Sequence, residues 1–150
     1  MTKFVVFCLD ELRIALLLTA VERIVRAVEV TPLPGAPATV LGAINMQGRI
    51  LPVLNLRRQF RLPEREIGPA DQFLIASTGR RAVALVIDEA QEVIDLEQSA
   101  VIGSDRIVSD LAHFPGVVKL DDGLVLVHDL ETFFSMQEAD ALDTAMEGAE

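Results

Sequence analysis

An all-β fold of barrel or sandwich type, finished by one C-terminal helix, is what this sequence predicts. Three observations carry that expectation. Short apolar runs rich in Val, Ile, Leu and Phe recur along the chain, with turn residues about every ten positions. Strand and helix patterns do not alternate, which argues against a doubly wound sheet. Only at the end do Leu130, Phe133, Phe134, Leu142 and Met146 move to helical spacing.

The elements follow in order. Phe4 to Leu9 and Leu12 to Leu16 flank Asp10-Glu11 and read as a hairpin. Thr19 is placed to cap a short helix over Ala20 to Ile24. Val28 and Val30 alternate with Glu29 and Thr31, the pattern of a half-buried strand. Pro32, Pro34 and Pro37 make the next segment a rigid loop, with a proline-binding ligand as its less favoured reading. Leu41 to Met46 and Ile50 to Leu56 flank Gln47-Gly48, a turn with glycine free to take positive φ. Pro52 inside the second run points to an edge strand or a bulge. Residues 61–70 form an exposed loop. Phe73 to Ala76 and Ala82 to Ile87 make another hairpin, and Val93, Ile94 and Leu96 resume after Asp88-Glu89. Residues 103–113 are polar and irregular. Val117 to Leu120 and Leu124 to Val127 flank Asp121-Asp122-Gly123, a hairpin signal, and Asp129 is placed to cap the final helix. The total is eight to ten strands, and the acidic helix is expected to fray near Gly148 within residues 137–150.

Size and composition agree. At 150 residues the chain fits a single domain, long enough to bury a core without disulfide or metal. Hydrophobic residues make up 51%, aromatics 5%, with no Trp or Tyr, so the core is aliphatic. No apolar run approaches the ~20 residues of a membrane span, and the first apolar stretch breaks at Asp10, too early for a secretory signal. A lone Cys8 excludes an internal disulfide, and the expected compartment is the cytoplasm. Charge is uneven: residues 1–68 carry net +3, residues 69–150 net −13. That balance argues against nucleic acid as a partner. It fits either a surface with a preferred partner charge or plain solubility.

Chemistry is sparse. His113 and His128 flank a hairpin, but neither has a second ligand at metal-binding spacing, so no metal site is expected. Cys8 lies in an apolar strand, where a thiol behaves as a small hydrophobe rather than as a nucleophile served by His128 and Asp129. No phosphate loop, dinucleotide fingerprint or nucleophile elbow occurs. Asp88-Glu89 and Asp121-Asp122 are adjacent strand-end pairs whose members face opposite ways. No catalytic residue and no cofactor is expected.

The stretch Leu33-Pro34-Gly35-Ala36-Pro37 through Gly42-Ala43-Ile44-Asn45-Met46-Gln47-Gly48 to Pro52-Val53-Leu54-Asn55-Leu56-Arg57 resembles the signature of the CheW-like chemotaxis coupling family. That signature has a proline-rich loop, a Gly-x-x-Asn-Leu-Arg-Gly turn, and a strand with Pro-Val and Asp-Leu-Arg. Phe4-Val5-Val6-Phe7, Val86-Ile87-Asp88-Glu89-Ala90-Gln91-Glu92-Val93 and Phe114-Pro115-Gly116-Val117 to Leu130 resemble further family segments in order, covering residues 4 to about 146.

The resemblance implies two small five-stranded β-barrels sharing a core, with the first and last strands in one half. It implies a non-enzymatic adaptor between the cytoplasmic tip of methyl-accepting chemoreceptors and the regulatory domain of a chemotaxis histidine kinase, with weak self-association in rings. By residue, it implies receptor contacts at Val21, Arg23, Gln47, Gln72, Ala90 and Val93. Val21 and Val93 fit core packing equally well. Kinase contacts are implied at Val30, Thr31 and Leu33, and structural roles at Gly42, Asn45, Gly48 and Pro52. The family's Glu and Arg, able to form an ion pair, are replaced here by Arg23 and Gln47, which suggests an Arg-to-Gln hydrogen bond and a divergent partner. Asn55 replaces the usual Asp. Competing expectations are the same fold serving gene expression or surface motility, a small-ligand-binding β-barrel, and, least, an enzyme.

Overall fold

The computed structural model describes residues 2–97, 101–103, 116–120 and 123–149. The expectations on His113, on Asp121-Asp122, on Phe114-Pro115 and on the irregular stretch 104–113 lie outside these residues. Eleven strands occur among those described, in two sheets.

The N-terminal hairpin is β1 (Thr2–Leu9) and β2 (Leu12–Leu17), turning at Asp10 with φ of 52°. A 3₁₀ turn, Leu18–Ala20, then leads into β3 (Val21–Arg26). The expected helix over 20–24 is therefore a turn and a strand. The reason is a bulge: Val21 pairs with Ala76 but Arg23 pairs with Ile75, leaving Glu22 as the extra residue. The bulge puts Val21 and Ile24 on one face at a spacing of three, which imitates a helix in the sequence. The expected strand at 28–30 is also absent. Its segment runs extended beside β4 (Val40–Met46) and touches it at one bridge, Thr31 to Ala43, with N–H to O distances of 2.9 and 2.8 Å.

β4 and β5 (Arg49–Leu54) join through Gln47 and Gly48, at φ of 55° and 87°. Asn45 Oδ1 accepts from Gly48 N at 2.9 Å and stiffens the turn. Pro52 lies in a central strand, not at an edge, because β5 sits between β4 and β7. It is tolerated because β7 pairing begins only at Val53, and a bulge between Val40 and Gly42 lies on the strand opposite. The strand stops at Leu54. Asn55 then caps a single helical turn, α1 (Leu56–Gln59), by accepting from Arg58 N.

β6 (Gln72–Ser77) and β7 (Ala82–Ile87) form the next hairpin, followed by β8 (Glu89–Leu96), β9 (Val101–Gly103), β10 (Gly116–Leu120) and β11 (Gly123–Val127). Asp129 caps only a 3₁₀ turn, Leu130–Thr132. The final helix, α2 (Met136–Ala149), is capped by Ser135, whose Oγ accepts from Glu138 N while Glu138 accepts from Ser135 N. This reciprocal box starts the helix six residues later than Asp129 would.

The first sheet runs β8-β1-β2-β11-β10-β9 and the second β3-β6-β7-β5-β4. Two β-units with a C-terminal helix were expected; the first has a sixth strand, the three-residue β9. The first sheet draws on both ends of the chain, since β2 pairs in parallel with β11. The second is one continuous stretch between them.

Burial explains why the runs were so apolar. Phe4, Val6, Val118 and Val125 pack within the first sheet, and Ile44, Val53, Phe73 and Ile75 within the second. The alternate residues Val5, Phe7, Leu74, Leu85 and Leu126 form a cluster shared by both sheets. Strands buried on both faces lose polar alternation. α2 adds buried Leu142, Ala145 and Met146. Its acidic side meets a basic patch of the same chain: Asp143 lies 2.7 Å from Arg81 and 3.5 Å from Arg80.

Candidate partner-binding groove

Register decides which side chains gather. Antiparallel partners share a face, so Val21 and Ile24 lie with Ala76 and Leu74, members of the shared cluster. On the first sheet, Ala90 and Val93 are opposite Phe7 and Val5, also on that face. β3 and β8 are each the end strand of their sheet. β8 is tied to β6, the neighbour of β3, by Gln72, whose Oε1 accepts from Ala90 N at 2.8 Å. Val21, Ile24, Gln72, Ala90 and Val93 therefore lie on the faces that the two sheets turn to the shared cluster, along a seam taken as the candidate groove.

Four of the six receptor positions implied by the resemblance converge there. Val93 is 54% exposed and Val21 half-buried, so core packing accounts for Val21 in part and for Val93 not at all. Arg23 and Gln47 are elsewhere. Arg23 pairs with Ile75, whose side chain belongs to the second sheet's own cluster, and so points to the opposite face. There its Nη1 lies 3.5 Å from Gln47 Oε1, at the limit of a hydrogen bond. The carboxylate–guanidinium pair of this corner is instead Glu22 with Arg49, at 3.1 and 3.3 Å, with Ser77 Oγ also donating to Glu22. Arg49 holds the Glu22 carboxyl below the usual range. These contacts join β3 to the β4–β5 turn across the curled sheet.

Ile24 was not singled out in the sequence. It is 37% exposed and faces the groove. Its signal was the spacing of three from Val21, legible only with the bulge known.

Val30, Thr31 and Leu33 lie along the other side of the second unit. Val30 packs against the second sheet's cluster, Thr31 makes the bridge to Ala43, and Leu33 lines a cleft of about 710 Å³ between the proline-rich loop and α2. Gly42 makes this approach feasible. A Cβ there would stand 2.2 Å from Thr31 O and 2.7 Å from Val30 Cγ1.

At the groove's end lies a cluster of charges. Arg57, buried, donates to both carboxylate oxygens of Asp10 (2.9 and 2.8 Å), to Asp88 (2.8 Å) and to Pro63 O (3.1 Å). Arg65 grips both oxygens of buried Asp71 at 2.8 Å and shares the same Asp88 oxygen at 2.8 Å. Backbone N–H groups of Asp10 and Gly68 donate to Asp88 and Asp71. Arg65 holds the Asp71 carboxyl below its usual range, and Arg57 does so for Asp10. A neighbouring cleft of about 760 Å³, lined by Val28, Val30 and Leu41, is walled by these guanidinium groups, which are engaged by carboxylates.

The titratable groups weighed for chemistry are set apart. Burial and Asp88 raise the Cys8 thiol, away from thiolate character. Its strand partners are Arg13 and Glu89. His128 is buried edge-on to Phe60, with ring centroids 5.2 Å apart, and to Phe133 at 6.4 Å. Among the described residues no cluster of His, Cys, Asp or Glu is arranged to hold a metal, and no helix is long and apolar enough to cross a membrane.

Comparison with known proteins places this architecture. The chain is 28% identical over 146 residues to the chemotaxis protein CheW of Treponema pallidum, covering 93% of this chain and 86% of that one. It is 31% identical over 99 residues to chemotaxis protein CheW of Bacillus subtilis, covering 66% and 64%. The crystal structure of the scaffolding protein TtCheW from Thermoanaerobacter tengcongensis superposes with a TM-score of 0.80 at 27% identity, covering 91% of this chain and 90% of that one. The model of the CheW-like domain matches residues 3–138, nearly the whole chain, and the protein belongs to the CheW-like domain family.

Proposed function

We propose that this protein is a non-catalytic scaffold of a chemosensory pathway, coupling the cytoplasmic tip of chemoreceptors to the regulatory domain of a histidine kinase. The observation that carries this reading is the β3–β8 groove, whose exposed Ile24 and Val93 flank half-buried Val21 and Ala90. An apolar seam between two edge strands suits an amphipathic helix, anchored by a few side chains within a polar rim. In this reading Val21, Gln72, Ala90 and Val93 touch the receptor, with Ile24 added. Arg23 and Gln47 flank the contact from the neighbouring corner. Val30, Thr31 and Leu33 meet the kinase, so the two partners bind at once. The compartment is the cytoplasm, beneath the receptor arrays, and scaffold and kinase alternate in rings there.

Calorimetry with the regulatory domain of each chemosensory kinase of the same cell tests this. Micromolar binding to one of them, about −8 kcal/mol, is expected. That kinase also names the output: motility toward attractants, gene expression or surface movement. No binding to any kinase by folded protein overturns the coupling role.

A further inference from the structure

The ion cluster beside the groove has no part in the contacts proposed above, yet it is built into the segments that carry them. Asp71 immediately precedes Gln72, and Asp88 stands two residues before Ala90. The Ala90 N–H donates to Gln72 Oε1, which ties β8, the end strand of the first sheet, to the start of β6 in the second. Arg65 holds Asp71 with both prongs of its fork, and its Nη2 also donates to Asp88. Arg57 fixes the same Asp88 oxygen to Asp10 in the β1–β2 turn. Two guanidinium groups thus set the spacing between the starts of β6 and β8, which carry Gln72 and Ala90. Arg57 is buried and makes four hydrogen bonds to three groups, so it serves the fold. Arg65 is different. It comes from an exposed loop, its side chain is 43% exposed, and it bridges the two strand starts from outside.

We propose that Arg65 is a positioning residue for partner binding: by clamping Asp71 to Asp88 it fixes the register of Gln72 against Ala90, and so tunes affinity for a helix in the groove without touching it. This rests on the receptor reading of the groove. Planar, two-pronged donation makes arginine suited to the task, and lysine, a point donor, reaches only one carboxylate well.

The test compares Arg65→Met and Arg65→Lys with the native chain. The full-length protein is titrated with a receptor-tip helical hairpin fragment and, separately, with the kinase regulatory domain, and the backbone amide resonances of Gln72, Ala90 and Val93 are recorded without partner. Arg65→Met is expected to weaken the receptor fragment about tenfold, to leave kinase binding within twofold, and to move those three amides. Arg65→Lys is expected to fall between. Native-like receptor binding and unmoved amides in Arg65→Met overturn the proposal, as does an equal loss of both partners, which marks general destabilisation. If the native chain binds no receptor fragment while the amides still move in Arg65→Met, the clamp on the groove stands and the receptor reading falls.

Discussion

The two ends of the second sheet and the outer end of the first handle the same problem differently. In the second sheet, the chain leaving β3 crosses to β4 and bridges it at Thr31 and Ala43, while Glu22 reaches Arg49 from the other end. The sheet curls until its ends are covered by its own chain. In the first sheet, β8 is an end strand that keeps Val93 more than half exposed. Elsewhere along it, charge blunts the edge: Lys3 pairs with Asp95, and Arg13 with Glu92. One unit spends its edges on itself, and the other keeps an apolar length of edge available beside the groove. The difference separates side chains closed into the fold from side chains left exposed along an edge.

Breaking the closed side carries the largest expected effect. Gly42→Val drives a side chain into the Thr31 backbone, 2.2 Å from its Cβ position, where nothing flexible can yield. A loss of roughly 4 kcal/mol or failure to fold is expected in denaturant unfolding. Gly48→Ala, at positive φ with open space around it, is the control and costs about 1 kcal/mol. Equal effects would show that the close crossing at Gly42 does not close the sheet.

Next comes the junction. Arg57→Leu leaves the Asp88 carboxylate facing Asp10 without its buried cation, and about 3 kcal/mol of stability is expected to go. The cluster also predicts acid sensitivity. Asp71 titrates below its unfolded value, so its stabilisation is complete above the unfolded value near pH 4 and is lost as pH falls through the folded one. Unfolding curves from pH 6 to pH 2 should steepen below about 4, and less so in Asp71→Asn. An unchanged acid limb in that variant would remove Asp71 from the account.

On the open side the effects turn from stability to binding. Val93→Asp, at an exposed position, should change stability by under ~0.5 kcal/mol yet cost about 2 kcal/mol against a receptor-tip fragment. Smallest is Arg23→Glu. Its contact with Gln47 is long and exposed, so stability should barely change, and any shift in receptor affinity should stay below that of Val93→Asp. A larger shift for Arg23→Glu would move the binding face from the groove to the Gln47 corner.

Much of this was legible from residues alone, because turn chemistry is local. Gln47-Gly48 and Gly123 marked hairpins that the backbone adopts at positive φ. Asn55 capping α1 and Ser135 capping α2 were harder. Their polar side chains stand beside a continuing apolar run and a nearer Asp129, which mask the cap signal. β3 differs from the expected helix for a deeper reason, since one bulged residue changes a period of two into three. The same bulge hid Ile24 and turned Arg23 away from Val21. The ion cluster was invisible because Asp10, Arg57, Arg65, Asp71 and Asp88 meet only through tertiary contact.

The interleaving of the two sheets also dictates an order of events on the ribosome. All five strands of the second sheet are available once Ile87 has emerged, whereas β2 must wait for β11 to arrive as its parallel neighbour. During that interval the N-terminal hairpin holds Val5, Phe7, Ile14 and Leu16 on a face with part of its eventual cover missing. The finished second sheet already presents Leu74, Leu85 and Ile87 to that face. A hairpin docked there early would be shielded from pairing with other nascent chains, through the same side chains that make the shared core of the finished fold.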